Sequence, residues 1–284
     1  MSSTTKEAAG PWGGKTAKTV GDYADVNGIK LYYEIHGEGK PLVLLHGGLG
    51  AIEMFGPALP VLSDHHQVIG VDLQGHGRTA DIDRPLSLHF MADDIAALIK
   101  HLGLASVDVM GYSLGAGVAV QLAARHPELV DKLVIVSAVA RRDAFHPEIL
   151  AQQGYVNASA AEMMKATPMY QLYASLAPRV EDFPKLLDKI GALMSEDYDF
   201  SKDIAGITSP TLVVAGDSDI ARPSHAVEIF NLLGGGLRDG GWDGSGQTKS
   251  QLAIMPGLTH YNIFAAPAVA HTVVPFLYQP AKGN

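Results

Sequence analysis

The chain has 284 residues, 47% of them apolar and 18% charged, which suits one well-packed domain with an insertion rather than a disordered segment. A formal net charge of -9 with no basic stripe argues against a nucleic-acid partner. Zero cysteines exclude disulfides, thiolate catalysis and metal sites built on sulfur.

The first twenty residues read as a loose polar arm without the apolar core of a signal peptide, and no stretch approaches the roughly 18 apolar residues of a membrane span, so the expected location is cytoplasmic. Residues 22–26 and 29–35 flank Asn27-Gly28, a pair suited to the tight turn of a β-hairpin. Residues 41–45 (Pro-Leu-Val-Leu-Leu) are a continuous apolar run of the kind buried on both faces of a sheet, and they empty into His46-Gly-Gly-Leu-Gly50. A helical pattern over 52–62, a strand over 67–71, a polar glycine loop over 72–79 and a helix over 90–102 follow. Strands at 107–110 and 132–136 enclose another helix. Strands alternating with helices at this spacing predict an α/β fold with a mostly parallel central sheet, helices on both faces and an antiparallel edge from the opening hairpin.

The alternation stops after Ala140. Residues 141–207 read as a small cap of short helices, with turns at Pro147, Pro168, Pro178 and Pro184. Strand and helix patterns resume at 211–215, 224–232, 251–254 and 263–278, so the predicted core comprises 21–140 and 208–284. The glycine-dense stretch 234–250 lacks the ending of a phosphate loop and reads as a surface connection. The adjacent His65-His66 read as solvated loop residues rather than metal ligands.

The strand at 107–110 runs into Gly111-Tyr-Ser-Leu-Gly115, a Gly-x-Ser-x-Gly pattern with a helix on its far side. A serine hydroxyl at neutral pH is a weak nucleophile, so Ser113 needs a base, and the base a carboxylate to fix its tautomer. The strand at 211–215 ends in Gly216-Asp-Ser-Asp219, and that at 251–254 leads to Met255-Pro-Gly-Leu-Thr-His260. The chain order Ser, Asp, His is that of α/β-hydrolases, not of chymotrypsin or subtilisin.

On these residues, together with His46-Gly47-Gly48 and Asp72-Leu-Gln-Gly-His-Gly-Arg78, the chain resembles the capped, single-domain α/β-hydrolases, over about residues 22–278. That family includes esterases, lactonases, carbon-carbon hydrolases and cofactor-free haloperoxidases. The resemblance implies a catalytic triad of Ser113, Asp219 (rather than Asp217) and His260, and an oxyanion hole at the N–H groups of Gly48 and Leu114. It also implies structural roles for His46, His76 and Arg78, and no cofactor or metal. The physics agrees with the Leu114 assignment, because the first N–H groups of a helix lack intrahelical partners. Leu49 and Tyr112, and Met169 and Tyr173 in the Met/Tyr-rich cap, are candidate substrate-binding residues; for the cap residues, simple packing explains the composition equally well.

The expected activity is hydrolysis of a small, moderately hydrophobic carboxylic ester or lactone through an acyl-enzyme on Ser113. Carbon-carbon hydrolysis or perhydrolysis would use the same triad, and Arg141, Arg142 and Arg179 are the residues to consider for a dienoate carboxylate. A non-catalytic ligand receptor on this fold is the further alternative. Serine at the elbow argues against dehalogenase and epoxide-hydrolase relatives, which carry a carboxylate there. No oligomeric state follows from the sequence.

Overall fold

The computed structural model describes residues 20–279; the predicted N-terminal arm lies outside them except for Val20, which begins the first strand. Asn27 and Gly28 both hold positive φ (47° and 80°), the geometry a two-residue hairpin turn needs to match strand twist. They join β1 (Val20–Val26) to β2 (Ile29–His36). Next come β3 (Pro41–Leu45), α1 (Ala58–Ser63), β4 (Gln67–Val71), α2 (Leu88–His101), β5 (Val107–Tyr112), α3 (Leu114–Arg125) and β6 (Val130–Val136). The pattern at 52–62 is divided at Gly56-Pro57 into a 3-10 turn (Ile52–Phe55) and α1.

The eight strands lie in the order β1-β2-β4-β3-β5-β6-β7-β8. The pairs β1–β2 and β2–β4 are antiparallel, and the other five, β3–β4, β3–β5, β5–β6, β6–β7 and β7–β8, are parallel. Side chains alternate between two cores, as a period of two requires. Val43, Leu45, Val109 and Ile135 pack with Ile95 and Val118 of α2 and α3. Leu42, Leu44, Met110 and Val134 pack with Leu62 of α1 and Val273 and Phe276 of α10 (Pro267–Tyr278) on the other side. Buried on both faces, the central strands read as near-continuous apolar runs for this reason.

Between β6 and β7 (Thr211–Ser218) run α4 (Pro147–Gln153), α5 (Ala161–Met164), α6 (Pro168–Leu176), α7 (Phe183–Ser195) and α8 (Ser201–Gly206). Pro147, Pro168 and Pro184 sit in the first turns of α4, α6 and α7. They start helices instead of making the expected turns, since proline's missing N–H costs nothing where no intrahelical partner exists. α8 returns to the core: Ile204 is buried and Gln121 of α3 donates to Asp203 at 3.0 Å. After β7, α9 (Pro223–Leu232) leads through 233–250 to β8 (Gln251–Thr259).

Two further expectations are corrected. β8 does not end at Ile254. It continues through Pro256 and Gly257 to Thr259, because β8 is an edge strand where a proline without a donor is tolerated. His66 is not solvated; it is 1% exposed, with the ring of Tyr278 5.3 Å away, because the end of α10 closes over it. His65 alone faces solvent. No helix among the described residues is long and apolar enough to cross a membrane.

Candidate active site

Four neighbouring parallel strands deliver the site at their carboxyl ends. β5 runs through Tyr112 into Ser113, whose φ of 52° and ψ of -115° make the sharp turn into α3. Gly111 and Gly115 allow that turn. A Cβ on Gly111 would strike the carbonyl of Gly115, and one on Gly115 would strike the carbonyls of Leu45 and His46. The Ser113 N–H donates to Val136 O at 3.0 Å, tying the elbow to β6.

The β7–β8 ladder carries the other two groups. A register shift after Gly216 is followed by the pair Ser218–Thr259, which sets the next residues of each strand, Asp219 and His260, side by side. His260 Nδ1–H donates to Asp219 Oδ1 at 2.8 Å, and His260 Nε2 lies 3.0 Å from Ser113 Oγ. Asp219 also accepts from Ile220 N at 2.8 Å, Ser137 Oγ at 2.5 Å and Gly216 N at 3.2 Å. Burial works to raise the Asp219 pKa. The hydrogen bond and charge of His260, with the Ser137 hydroxyl and the Ile220 amide, outweigh it and hold the carboxyl below its ordinary value. Asp217 is exposed and accepts from Gly257 N at 3.0 Å, bridging the ends of β7 and β8 instead of bonding His260.

Residues 46–50 cross beside Ser113: a Cβ on Gly47 would lie 3.3 Å from that of Ser113. His46 is fully buried. Its Nδ1–H donates to Gly47 O at 2.7 Å, and its Nε2 accepts from Leu73 N at 3.0 Å, so both nitrogens are committed and the ring is neutral. Burial lowers its pKa to about 4, against the opposing effects of the Gly47 carbonyl and Glu53. His76, 5.2 Å from His46 between ring centres, is lowered to about 3 by burial and by His46. Asp72 accepts from Ile52 N at 3.0 Å and from Arg78 N and Nη1 at 2.9 and 3.2 Å, tying 46–52 to 72–79.

The arrangement can supply a base-activated hydroxyl, with the N–H of Gly48 and the N-terminal N–H of α3 at Leu114 on nearby backbone. A family model described as the alpha/beta hydrolase fold matches residues 40–168. The chain is 32% identical over 234 residues to RutD of Azorhizobium caulinodans, a carbamate hydrolase by name, spanning 76% of this chain and 86% of that protein. The chain belongs to the α/β-hydrolase superfamily.

Solved structures similar to this α/β-hydrolase include an esterase from Thermogutta terrifontis (TM-score 0.68, 23% identity, covering 92% of this chain and 98% of that one). Another is the enol-lactonase of Burkholderia xenovorans (TM-score 0.69, 24% identity, 90% and 100%). At such identities the likeness carries the fold alone.

The four expected substrate-binding residues separate. Leu49 is half-buried beside Gly48, with φ of 57°. Tyr112 lies beneath the site: its hydroxyl donates to His260 O at 2.6 Å and its ring packs on Phe264 and His260, so it supports the histidine and has no free polar end for a substrate. Tyr173 is buried inside the insertion, donating to Arg179 O at 3.2 Å and packing on Phe183, and Met169 is 44% exposed on α6. The α6 aromatic cluster is internal packing.

The helix that faces the site is α7. Ile190 Cδ1 lies 3.6 Å from where a Cβ on Gly48 would sit, and Leu186 Cδ1 3.4 Å from one on Gly75. Lys189 holds α7 down, donating to both Asp81 oxygens and to Ile82 O at 2.8 Å and to Arg84 O at 2.6 Å. The signal for α7 was its spacing of Phe183, Leu186, Leu187 and Ile190, three or four residues apart.

Proposed function

We propose that this α/β-hydrolase cleaves a neutral carboxylic ester or lactone through an acyl-enzyme on Ser113. The observation that carries the reading is the continuous relay Ser113 Oγ, His260 Nε2, His260 Nδ1 and Asp219 Oδ1, with spacings of 3.0 and 2.8 Å. In the first step His260 takes the Ser113 proton as Oγ bonds to the acyl carbon, and the N–H groups of Gly48 and Leu114 take the developing oxyanion. The protonated His260 then donates to the departing alkoxide. In the second step water, deprotonated by His260, attacks the acyl carbon, the bond to Ser113 Oγ breaks, and the acid leaves with Ser113 reprotonated. Residues 141–200, ending before α8 returns to the core, serve as a cap, with α7 as the ceiling over the oxyanion turn.

The neutral substrate follows from how the arginines are engaged. Arg141 pairs with Asp143 and Glu228, Arg142 donates to Met194 O, and Arg179 pairs with Asp182 and donates to Asp81 O. These were the candidates for a dienoate carboxylate, and all three are committed elsewhere, which favours an ester over carbon-carbon hydrolysis. A carbamate is the second reading, favoured by the identity to RutD, since its carbonyl would meet the same serine and oxyanion donors. A turnover screen of aryl and alkyl esters, lactones, carbamates and dienones, with Ser113→Ala protein as blank, tests the proposal. Turnover of esters or lactones by wild type alone is expected; turnover of dienones or carbamates alone would reject it.

A further inference from the structure

Three of the four adjacent strands β5, β6, β7 and β8 place a triad member at their carboxyl ends: Ser113 after β5, Asp219 after β7 and His260 after β8. The strand between, β6, runs into Ser137. Ser137 is 4% exposed and, like Ser113, a non-glycine residue with positive φ, 54°. A side chain is disfavoured in that region, and a residue held there inside a buried turn needs surroundings that keep it in place. Its N–H donates to Val214 O at 2.8 Å, continuing the stagger by which Ser113 N donates to Val136 O. That backbone anchor aims the hydroxyl at β7.

We propose that Ser137 is a positioning residue for the triad carboxylate, its hydroxyl fixing Asp219 Oδ2 so that Oδ1 faces His260. The inference rests on the hydrolytic reading above. The geometry divides the work between the two carboxylate oxygens. Oδ2 accepts from Ser137 Oγ at 2.5 Å and from Gly216 N at 3.2 Å, whereas Oδ1 accepts from Ile220 N and His260 Nδ1, both at 2.8 Å. Without the hydroxyl, Oδ2 keeps only the longer amide contact, and the carboxylate plane is free to rotate off the imidazole. A hydrogen bond from O–H to an ionised acceptor is among the stronger kinds, and the short distance here fits that class.

The titratable groups facing Asp219 are His260 from the β8 side and Tyr112 from β5, whose phenol is pushed up by burial and by the Asp219 charge and stays protonated. Removing a donor from the anion raises the proton affinity of Asp219, whose carboxyl Ser137 helps hold below its ordinary value. The acid limb of the rate profile therefore moves toward neutral pH, which a purely structural serine would not cause.

The test compares wild type, Ser137→Ala and Ser137→Gly on one aryl ester, measuring kcat, KM and the pH profile of kcat/KM, with thermal melting to check folding. The expected result is a fall of about tenfold in kcat for both variants with KM little changed and the acid limb raised. An Ala variant with wild-type kcat and acid limb overturns the inference. So does an Ala loss that Gly restores, because the effect would then belong to the strained φ and not the hydroxyl. Absence of turnover by wild type would instead overturn the hydrolytic reading, and this inference with it.

Discussion

His46 donates its Nδ1–H to the carbonyl of Gly47 at 2.7 Å, and that carbonyl belongs to the same peptide group as the Gly48 N–H. In a planar trans peptide the two point in opposite directions, so a hydrogen bond on the buried side aims the N–H away from the histidine. Gly50 N donates to the same carbonyl at 3.1 Å, giving the peptide a second anchor. If Gly48 N–H is an oxyanion donor, substitutions that keep one nitrogen of His46 and lose the other should behave differently. His46→Asn retains a donor near Nδ1 and is expected to keep kcat within about threefold, while His46→Gln retains only an acceptor for Leu73 N–H and is expected to lose on the order of tenfold in kcat at similar KM. Steady-state kinetics on both variants checks this; equal activities would contradict it.

The choice between the two carboxylates after β7 is testable in the same way. Asp219→Asn keeps the shape but leaves the imidazole in the wrong tautomer, and a loss of about a thousandfold or more in kcat is expected. Asp217→Asn changes an exposed bridge from β7 to Gly257 of β8 and should leave kcat within about twofold. The two rate constants, measured side by side, decide the assignment.

Acid stability should be governed in part by the buried pair His46 and His76. Both have folded pKa values below the ordinary 6.5, about 4 and about 3, because burial disfavours their charged forms. Between those values and 6.5 these two groups bind more protons in the unfolded chain than in the folded one, so their contribution is full above pH 6.5 and is lost as pH falls through this window, partly offset by Asp72, whose carboxyl burial raises to about 6. His46 alone accounts for about 3 kcal/mol over the window. Asp219, held below its ordinary 3.8, adds its loss only at lower pH. Urea midpoints should fall clearly between about pH 7.5 and about pH 5, and less steeply in His76→Asn, which removes one of the two groups. A midpoint independent of pH would contradict the buried-neutral assignment.

Ile190 should set the space above the oxyanion turn. Ile190→Ala leaves room for a larger acyl group at a cost of about 2–4 kcal/mol in stability. The ratio of kcat/KM for a long over a short acyl ester should rise by about tenfold. An unchanged ratio would remove α7 from substrate selection.

The parts of this molecule that were legible from sequence are those whose signals are local. The buried strands announce themselves as apolar runs, the hairpin as Asn27-Gly28, and the elbow as Gly111-Tyr-Ser-Leu-Gly115. Ser113, Asp219 and His260, singled out by chain order, are the residues brought within hydrogen-bond distance of one another. What was not legible depends on neighbours distant in the chain. Met255-Pro-Gly reads as lying beyond the strand until the edge position of β8 is known, and His66 reads as solvated until Tyr278 covers it. Ser137 is one serine among many in the sequence, and only the β6–β7 pairing points its hydroxyl at Asp219. The Met and Tyr residues of α6 drew attention by composition, whereas α7 faces the site by topology.

The central claim is the covalent intermediate on Ser113. Wild-type and Ser113→Ala protein, each treated with an aryl phosphonate ester and measured by intact-protein mass spectrometry with peptide mapping, test it most directly. The account predicts one phosphonyl adduct per chain in wild type, located at Ser113, with none in the variant and with loss of ester turnover in step with labelling. A fully labelled wild-type enzyme that still turns over esters, or an adduct that persists in Ser113→Ala, would contradict it.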